Sequence, residues 1–238
     1  DAGMITIITN PKTGVTSVTN AASFEGGRNT ETDDEFRARY YVSTDFAGGV
    51  NLDAIIAAIY ENVEAVIAVT GEENDTDETN ASGLPPHSIE LVVYGGLDEE
   101  IAKAIHRRKG AGIQTFGNVT VPVVDAAGNI KNISFSRPAP VNVWVRVFNL
   151  QTDNTFPLDG IEQIKQRLTE YIGSDTRGGL NIGQNVICVA LPTEVFKVQG
   201  VVDFDLQISP DGEAYSWQNI TIAAREKAVT NEDMVMVE

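Results

Sequence analysis

The sequence is short of the residues that most often carry chemistry: it has one cysteine, Cys188, and two histidines, His87 and His106. A lone cysteine closes no intramolecular disulfide, so the core and its partners must supply what a cross-link would, which suits assembly in a reducing cytoplasm. Positive charge is the next shortage. Lys and Arg number 17 against 34 Asp and Glu, a net charge of −17 over 238 residues. Polyanions are bound by cationic groups that displace counterions, so no nucleic acid and no anionic membrane is expected as a partner. Apolar runs are only a few residues long, far below the roughly 20 that cross a bilayer, and the acidic opening at Asp1 lacks the basic and apolar regions of a signal peptide. Asp1-Ala2-Gly3, with no initiator Met, reads as the edge of an excised fragment that has an upstream part. What the chain does have is core material: 42% of its residues are hydrophobic, enough for one large domain or two small ones at roughly 150 residues per domain.

Read from the amino end, residues 4–9 and 14–18 are β-prone and separated by Asn10, Pro11 and Gly14, which predicts a hairpin. Thr32 and Glu35 have capping-box spacing, predicting a helix through Phe36 and Tyr40 that Gly48-Gly49 ends. Leu52, Ile55, Ile56, Ile59 and Tyr60 recur at helical spacing and predict a second helix closing near Asn62. Residues 72–80 are polar and mostly acidic and lead to Gly83 and Pro85-Pro86, a composition expected of a mobile exposed loop. Ile89, Leu91 and Val93 alternate along a strand over 88–94, and Gly95-Gly96 then turns the chain into a helix over 98–109. Asp98, Glu99 and Glu100 stand at its positive end and His106, Arg107, Arg108 and Lys109 at its negative end, as the helix dipole favours. Residues 119–124 and 130–135, joined through 125–129, read as a hairpin.

A second unit starts at Val141, where Val141, Val143, Val145 and Val147 share one strand face and Trp144 and Phe148 the other, both faces being covered. A helix after Pro157 carries Ile161, Ile164, Leu168 and Tyr171 or Ile172 on one stripe, and a strand over 202–208 carries Phe204, Leu206 and Ile208. The fold class is α+β: an N-terminal hairpin and helical subdomain over residues 1–82, a strand–helix–hairpin unit over 83–140, and a strand–helix–strand unit over 141–238. An internal echo accompanies it. Gly48-Gly49-Val50-Asn51-Leu52 matches Gly178-Gly179-Leu180-Asn181-Ile182, and Val63-Glu64-Ala65-Val66 matches Val198-Gln199-Gly200-Val201, a pattern that suggests duplication.

No constellation for catalysis emerges. His87, His106 and Cys188 have spacings unrelated to any zinc pattern. His87, after two prolines at a strand start, reads as a hydrogen-bonded edge histidine, and His106 as a dipole partner. Cys188 lies among Val186, Ile187 and Val189, the setting of a buried small hydrophobe, without the basic neighbours of a reactive thiolate. Glu72, Glu73, Asp75, Asp77 and Glu78 lack the glycine and terminal Glu of the twelve-residue calcium loop. Gly95-Gly96 lacks the Lys-Ser/Thr pair of a phosphate loop. The chain is thus read as no enzyme: no catalytic, cofactor-binding or metal-ligating residue is assigned and no cofactor is expected.

Several segments, taken in order, carry a resemblance. Gly14-Val15-Thr16-Ser17-Val18-Thr19-Asn20, Phe24-Glu25-Gly26-Gly27, residues 31–39, Gly83-Leu84-Pro85-Pro86-His87-Ser88-Ile89, Val92-Val93-Tyr94-Gly95-Gly96, residues 109–117, and the closing Gly178 and 198–201 resemble the baseplate J-like family of contractile-tailed phages and tailocins. The likeness covers most of the chain. It departs around Pro192, a proline where the family's last helix is expected. The resemblance implies a structural wedge component of the virion tail baseplate, assembled in the bacterial cytoplasm. Its implied partners are other wedge and hub proteins and further copies of itself in a six-fold ring that rearranges on infection. On this reading 89–93 and the strand at Val141 build a rigid core, and the acidic loop and exposed helix ends meet partners. Two rivals stay open: an acidic receptor-binding module of the tail, and a baseplate-associated cell-wall hydrolase.

Overall fold

The computed structural model describes residues 2–9, 13–22 and 51–238, and over these the protein is a mixed α+β fold built on several small sheets. The predicted helix from Thr32 to Gly48 lies outside the described residues. Residues 4–9 and 14–18, expected as paired strands, show no ladder among the described residues; Asn20 draws the two stretches together by accepting from Gly3 N–H at 2.9 Å and, through Oδ1, from Ile5 N–H at 3.1 Å.

Regular structure starts at α1 (Leu52–Asn62), which Asn51 caps by accepting from Ala54 N–H at 3.0 Å. Ile55 and Ile59, with alanines between them, give it a buried face. Strands β1 (Val66–Asn74) and β2 (Ser88–Gly95) pair antiparallel, and α2 (Asp98–Arg108) returns the chain so that β3 (Gln114–Phe116) adds to β2 in parallel. The hairpin of β4 (Val119–Val124) and β5 (Ile130–Phe135) folds onto α2. Asp125 shapes its turn, accepting from Ala127 N–H at 2.9 Å and Asn129 N–H at 2.8 Å. One apolar core holds Ile55, Ile59, Leu91, Val93, Ile101, Ile105, Ile133 and Phe135. The expected division at residue 82 falls in the loop between two strands of this sheet, and residues on both sides share this core.

The valine run from Val141 serves two sheets instead of one. Strand β6 (Ala139–Asn142) ends before Val143, and β7 (Trp144–Thr152) begins after it. After α3 (Gly160–Ile172), a short α4 (Leu191–Val195) leads to β8 (Val201–Ser209), β9 (Glu226–Val229) and β10 (Val235–Val237). β6 pairs in parallel with β9, while β7 sits between antiparallel β8 and parallel β10. Val143, Val145 and Val147 enter a second core with Ile164, Leu168, Ile172, Leu206 and Ile208. Ile161, expected on the same helical stripe, is exposed. Pro192 does not block α4: it stands in the first turn, where an N–H has no intrahelical acceptor to lose.

The two three-stranded sheets share one plan, a central strand with an antiparallel neighbour on one side and a parallel one on the other. The chain visits their elements in different order, helix–strand–strand–helix–strand in the first and strand–helix–helix–strand–strand in the second. The echoed tetrapeptides stand at equivalent steps into β1 and β8, and the third residue of each is left-handed, Ala65 at φ 58° and Gly200 at φ 80°. At Gly200 the constraint is also steric, since a Cβ there would lie 2.4 Å from the Phe156 nitrogen. Gly200→Ala is expected to lower stability by about 2–3 kcal/mol, from the strained φ and the forced shift of residues 155–156, read as a lower urea midpoint at unchanged slope.

Candidate functional site

The two cores meet at a seam where polar groups are buried, and this seam is the most organised polar site among the described residues. Its centre is Glu90, in the middle of β2 and 2% exposed. The carboxylate accepts from Arg225 Nε at 2.9 and 2.8 Å and from the Ser136 hydroxyl. Arg225 comes from the segment just before β9, and its other nitrogen also donates to the Ser82 carbonyl at 3.0 Å. One guanidinium thus ties the first sheet, the acidic loop and the last third of the chain. Next to it Ser136 is stitched to β2 by two backbone bonds, Val93 N–H to Ser136 O and Ser136 N–H to Leu91 O. Arg137 caps the end of β2, donating to the carbonyls of Val93 and Gly96 at 3.0 and 2.7 Å and through Nε to Asp98 at 3.1 Å.

A second buried cation lies farther along the seam. Lys227 of β9 is fully buried and donates to the carbonyls of Gly178 and Leu180, both at 2.7 Å. Its Nζ stands 5.4 Å from the centre of the Tyr94 ring, a cation–π contact. Burial pushes the Lys227 ammonium down to about 8. The Tyr94 hydroxyl donates to Asp175 at 2.8 Å, and burial, followed by that carboxylate, raises the phenol above its ordinary range. Tyr94 also packs with Ala68, Val92 and Ile182 in a small apolar cluster that bridges the two units. Beyond Asp175 opens a polar groove of about 680 Å³, lined by Thr169, Glu170, Arg177 and residues 229–234. Arg177 and Glu170 form an ion pair on its wall.

The acidic stretch 72–80 is the expected exposed loop over residues 75–79, but its first three residues belong to a strand. Glu72 to Asn74 complete β1, and Asn74, 3% exposed, turns inward to donate to the carbonyls of Glu78, Leu84 and Pro85. Asn80 donates to Glu72 at 2.7 Å and accepts from Leu84 N–H at 2.9 Å. The asparagine side chains bond within the loop and its flanking strand, and the carboxylates of Glu73, Asp75, Asp77 and Glu78 face solvent. His87 stands exposed at φ 50° with Nε2 2.9 Å from Asp77. His106 is half-buried near the end of α2, its Nδ1 without a partner, and Lys109 donates to the Ile113 carbonyl at 2.7 Å. Cys188 is buried, and burial raises its thiol to about 11, which leaves it protonated at neutral pH. The structure brings none of His87, His106 and Cys188 into the seam. Among the described residues no group of three or more His, Cys, Asp and Glu converges as a metal site would, and no helix is long and apolar enough to cross a membrane.

Glu90, Arg225 and Lys227 were not singled out by the sequence. The only available signal was a Glu inside the otherwise apolar alternation of β2, which marks a charge that must find a partner once the strand is covered on both faces. No family model matches the chain, and no curated protein matches it.

Chemically the seam binds and orients parts of the chain. Removing one partner of a buried ion pair leaves the other desolvated and uncompensated. Arg225→Ala is therefore expected to destabilise the fold by about 2–3 kcal/mol, a figure reduced because the Arg225 side chain is 42% exposed. The double variant Glu90→Gln, Arg225→Met should recover part of that loss in urea unfolding. Lys227 gives a prediction with a defined sign. The unfolded chain keeps this proton to about pH 10 and the fold releases it near 8, so the unfolded state binds more protons between these values and stability rises with pH across them. From about pH 8 to pH 9.5 the increment is about 2 kcal/mol, and it should vanish in Lys227→Met when urea midpoints are compared.

Proposed function

We propose that the chain is a structural component of a phage or prophage contractile-tail baseplate, a wedge part that joins neighbouring baseplate proteins around the central hub. The observation that carries this reading is the position of the segments that resemble the baseplate J-like family. Residues 83–89 lead from the acidic loop into β2, and residues 92–96 end that strand at Gly95-Gly96, where both glycines have positive φ. Residues 109–117 close α2 and form β3, and residues 198–201 make the step into β8. They are joints of the framework, and the buried seam couples the two halves that they frame. A part that passes load between neighbours needs such coupling, whereas a hydrolase would need its distinctive residues gathered at a cleft.

Partner contacts on this reading fall to the exposed carboxylates of Asp75, Asp77 and Glu78. The loop's inward asparagines hold its backbone, so the acids form a fixed surface that steers cationic partners. Copies and wedge neighbours assemble with it in the host cytoplasm and enter the virion tail. Reversing the three acids, Asp75→Lys, Asp77→Lys and Glu78→Lys, is expected to abolish co-purification with the adjacent baseplate proteins when the tail proteins are expressed together. The same variant should keep the wild-type unfolding midpoint to within about 0.5 kcal/mol, as surface changes do. Wild-type co-assembly by the reversed loop would contradict this interface.

A further inference from the structure

The described residues hold an apolar segment without a core and an apolar strand edge without a cover. In residues 2–9 and 13–22 the side chains of Met4, Ile7 and Val15 are 73%, 79% and 51% exposed. None of these described residues belongs to either apolar core. Five β-branched residues in the span 5–9, Ile5, Thr6, Ile7, Ile8 and Thr9, favour an extended chain. β8 is the terminal strand of its sheet. Along its outer edge Ile208 is matched by Ser216 through a pair of 2.9 Å backbone bonds, and residues 202–206 have no neighbour there among the described residues. Val202 is 56% exposed on that stretch. Phe204 stands with its ring 4.8 Å from that of Phe196, itself 53% exposed.

Charge selects the occupant. Asp203 and Asp205 are exposed on β8, and charge on an edge strand repels the addition of a like-charged strand. In a chain with 34 acids that guard turns away much of its own surface. Residues 2–22 contain no Asp or Glu and one basic residue, Lys12, so the guard does not act against them.

We propose that residues 4–8 of one copy add as a strand to the open edge of β8 in a second copy, where their apolar side chains cover Val202, Phe204 and Phe196. Main-chain hydrogen bonds give such strand addition its affinity and side-chain contacts its register. The contact joins two different surfaces, so it is heterologous and each copy keeps a free donor and a free acceptor; repeated, it closes into a ring or extends as a filament. It rests on the baseplate reading only for that closure, as the joint between neighbouring copies.

The test is sedimentation velocity of the full chain over a concentration series. Wild type is expected to associate reversibly, and Ile7→Asp and Val202→Asp are each expected to weaken association roughly tenfold or more. An equimolar mixture of the two variants should form a one-to-one dimer and nothing larger, because one supplies a working edge and the other a working segment. If Val202→Asp lowers the unfolding midpoint, Phe196→Ser at its exposed position replaces it. A wild type that stays monomeric throughout would overturn the proposal, as would either variant associating like wild type or a mixture that fails to pair. Such a failure leaves the baseplate reading standing, since other chains could join the copies. Absence of the protein from tail particles would sink that reading without touching the measured contact.

Discussion

A carboxylate buried in the middle of a strand is the constraint from which the arrangement of this protein follows. Taking Glu90 out of water costs several kcal/mol unless a cation and further donors meet it, and they come from distant parts of the chain: Ser136 after the hairpin and Arg225 before β9. Satisfying that one group fixes where three segments lie. With Arg225 held, Ala139 N–H donates to its carbonyl at 2.9 Å, and the parallel ladder of β6 and β9 begins at the adjoining pair, Ala139 with Glu226. One residue further along that ladder's own strand, the Lys227 ammonium reaches the turn at 178–180. The second unit is thus positioned on the first by an ion pair, a ladder and a buried lysine in sequence along one stretch of chain. Burial of apolar surface stabilises each core, but it has no direction, and the polar seam supplies the register between them.

Much of each unit was legible because its signals are local. Alternation of Ile89, Leu91 and Val93 places β2, the split of acids and bases along residues 98–109 places α2, and the turn at Asp125 to Asn129 places the β4–β5 hairpin. The valine run was read as one strand, since alternation alone cannot reveal that Val143 marks a change of partner. Side chains continue to alternate through the break while the backbone bonds move from β9 to β8. The acidic loop is exposed over residues 75–79, as its composition suggests, but composition also counts Asn74 as exposed and polar. Asn74 is instead a buried hub for three carbonyls, a role its neighbours in space confer. Pro192 reads from sequence as a helix breaker because nothing local marks it as a first-turn residue. The seam was least legible of all: Glu90 and Arg225 stand 135 residues apart, and no periodicity links two residues at that distance.

On the proposed baseplate reading, this division of labour is what a part that passes force between neighbours requires. The described frame is tied by backbone ladders and buried charges, and Glu90, Arg225 and Lys227 hold its segments together. The two contacts proposed for its surface, a set of carboxylates at residues 75–78 and an apolar strand edge at β8, differ in range as well as in chemistry. Charges act over roughly a Debye length, about 8–10 Å in physiological salt, and so guide approach. An apolar edge acts on contact and sets the final register.

The proposal that the protein is a structural part of a tail baseplate is tested most directly by gold-labelled antibody electron microscopy of particles from an induced lysate of the source strain. The account predicts label at the tail end away from the head, present on bare baseplates before fibres attach. Label confined to fibre tips, or absent from every particle, would contradict it.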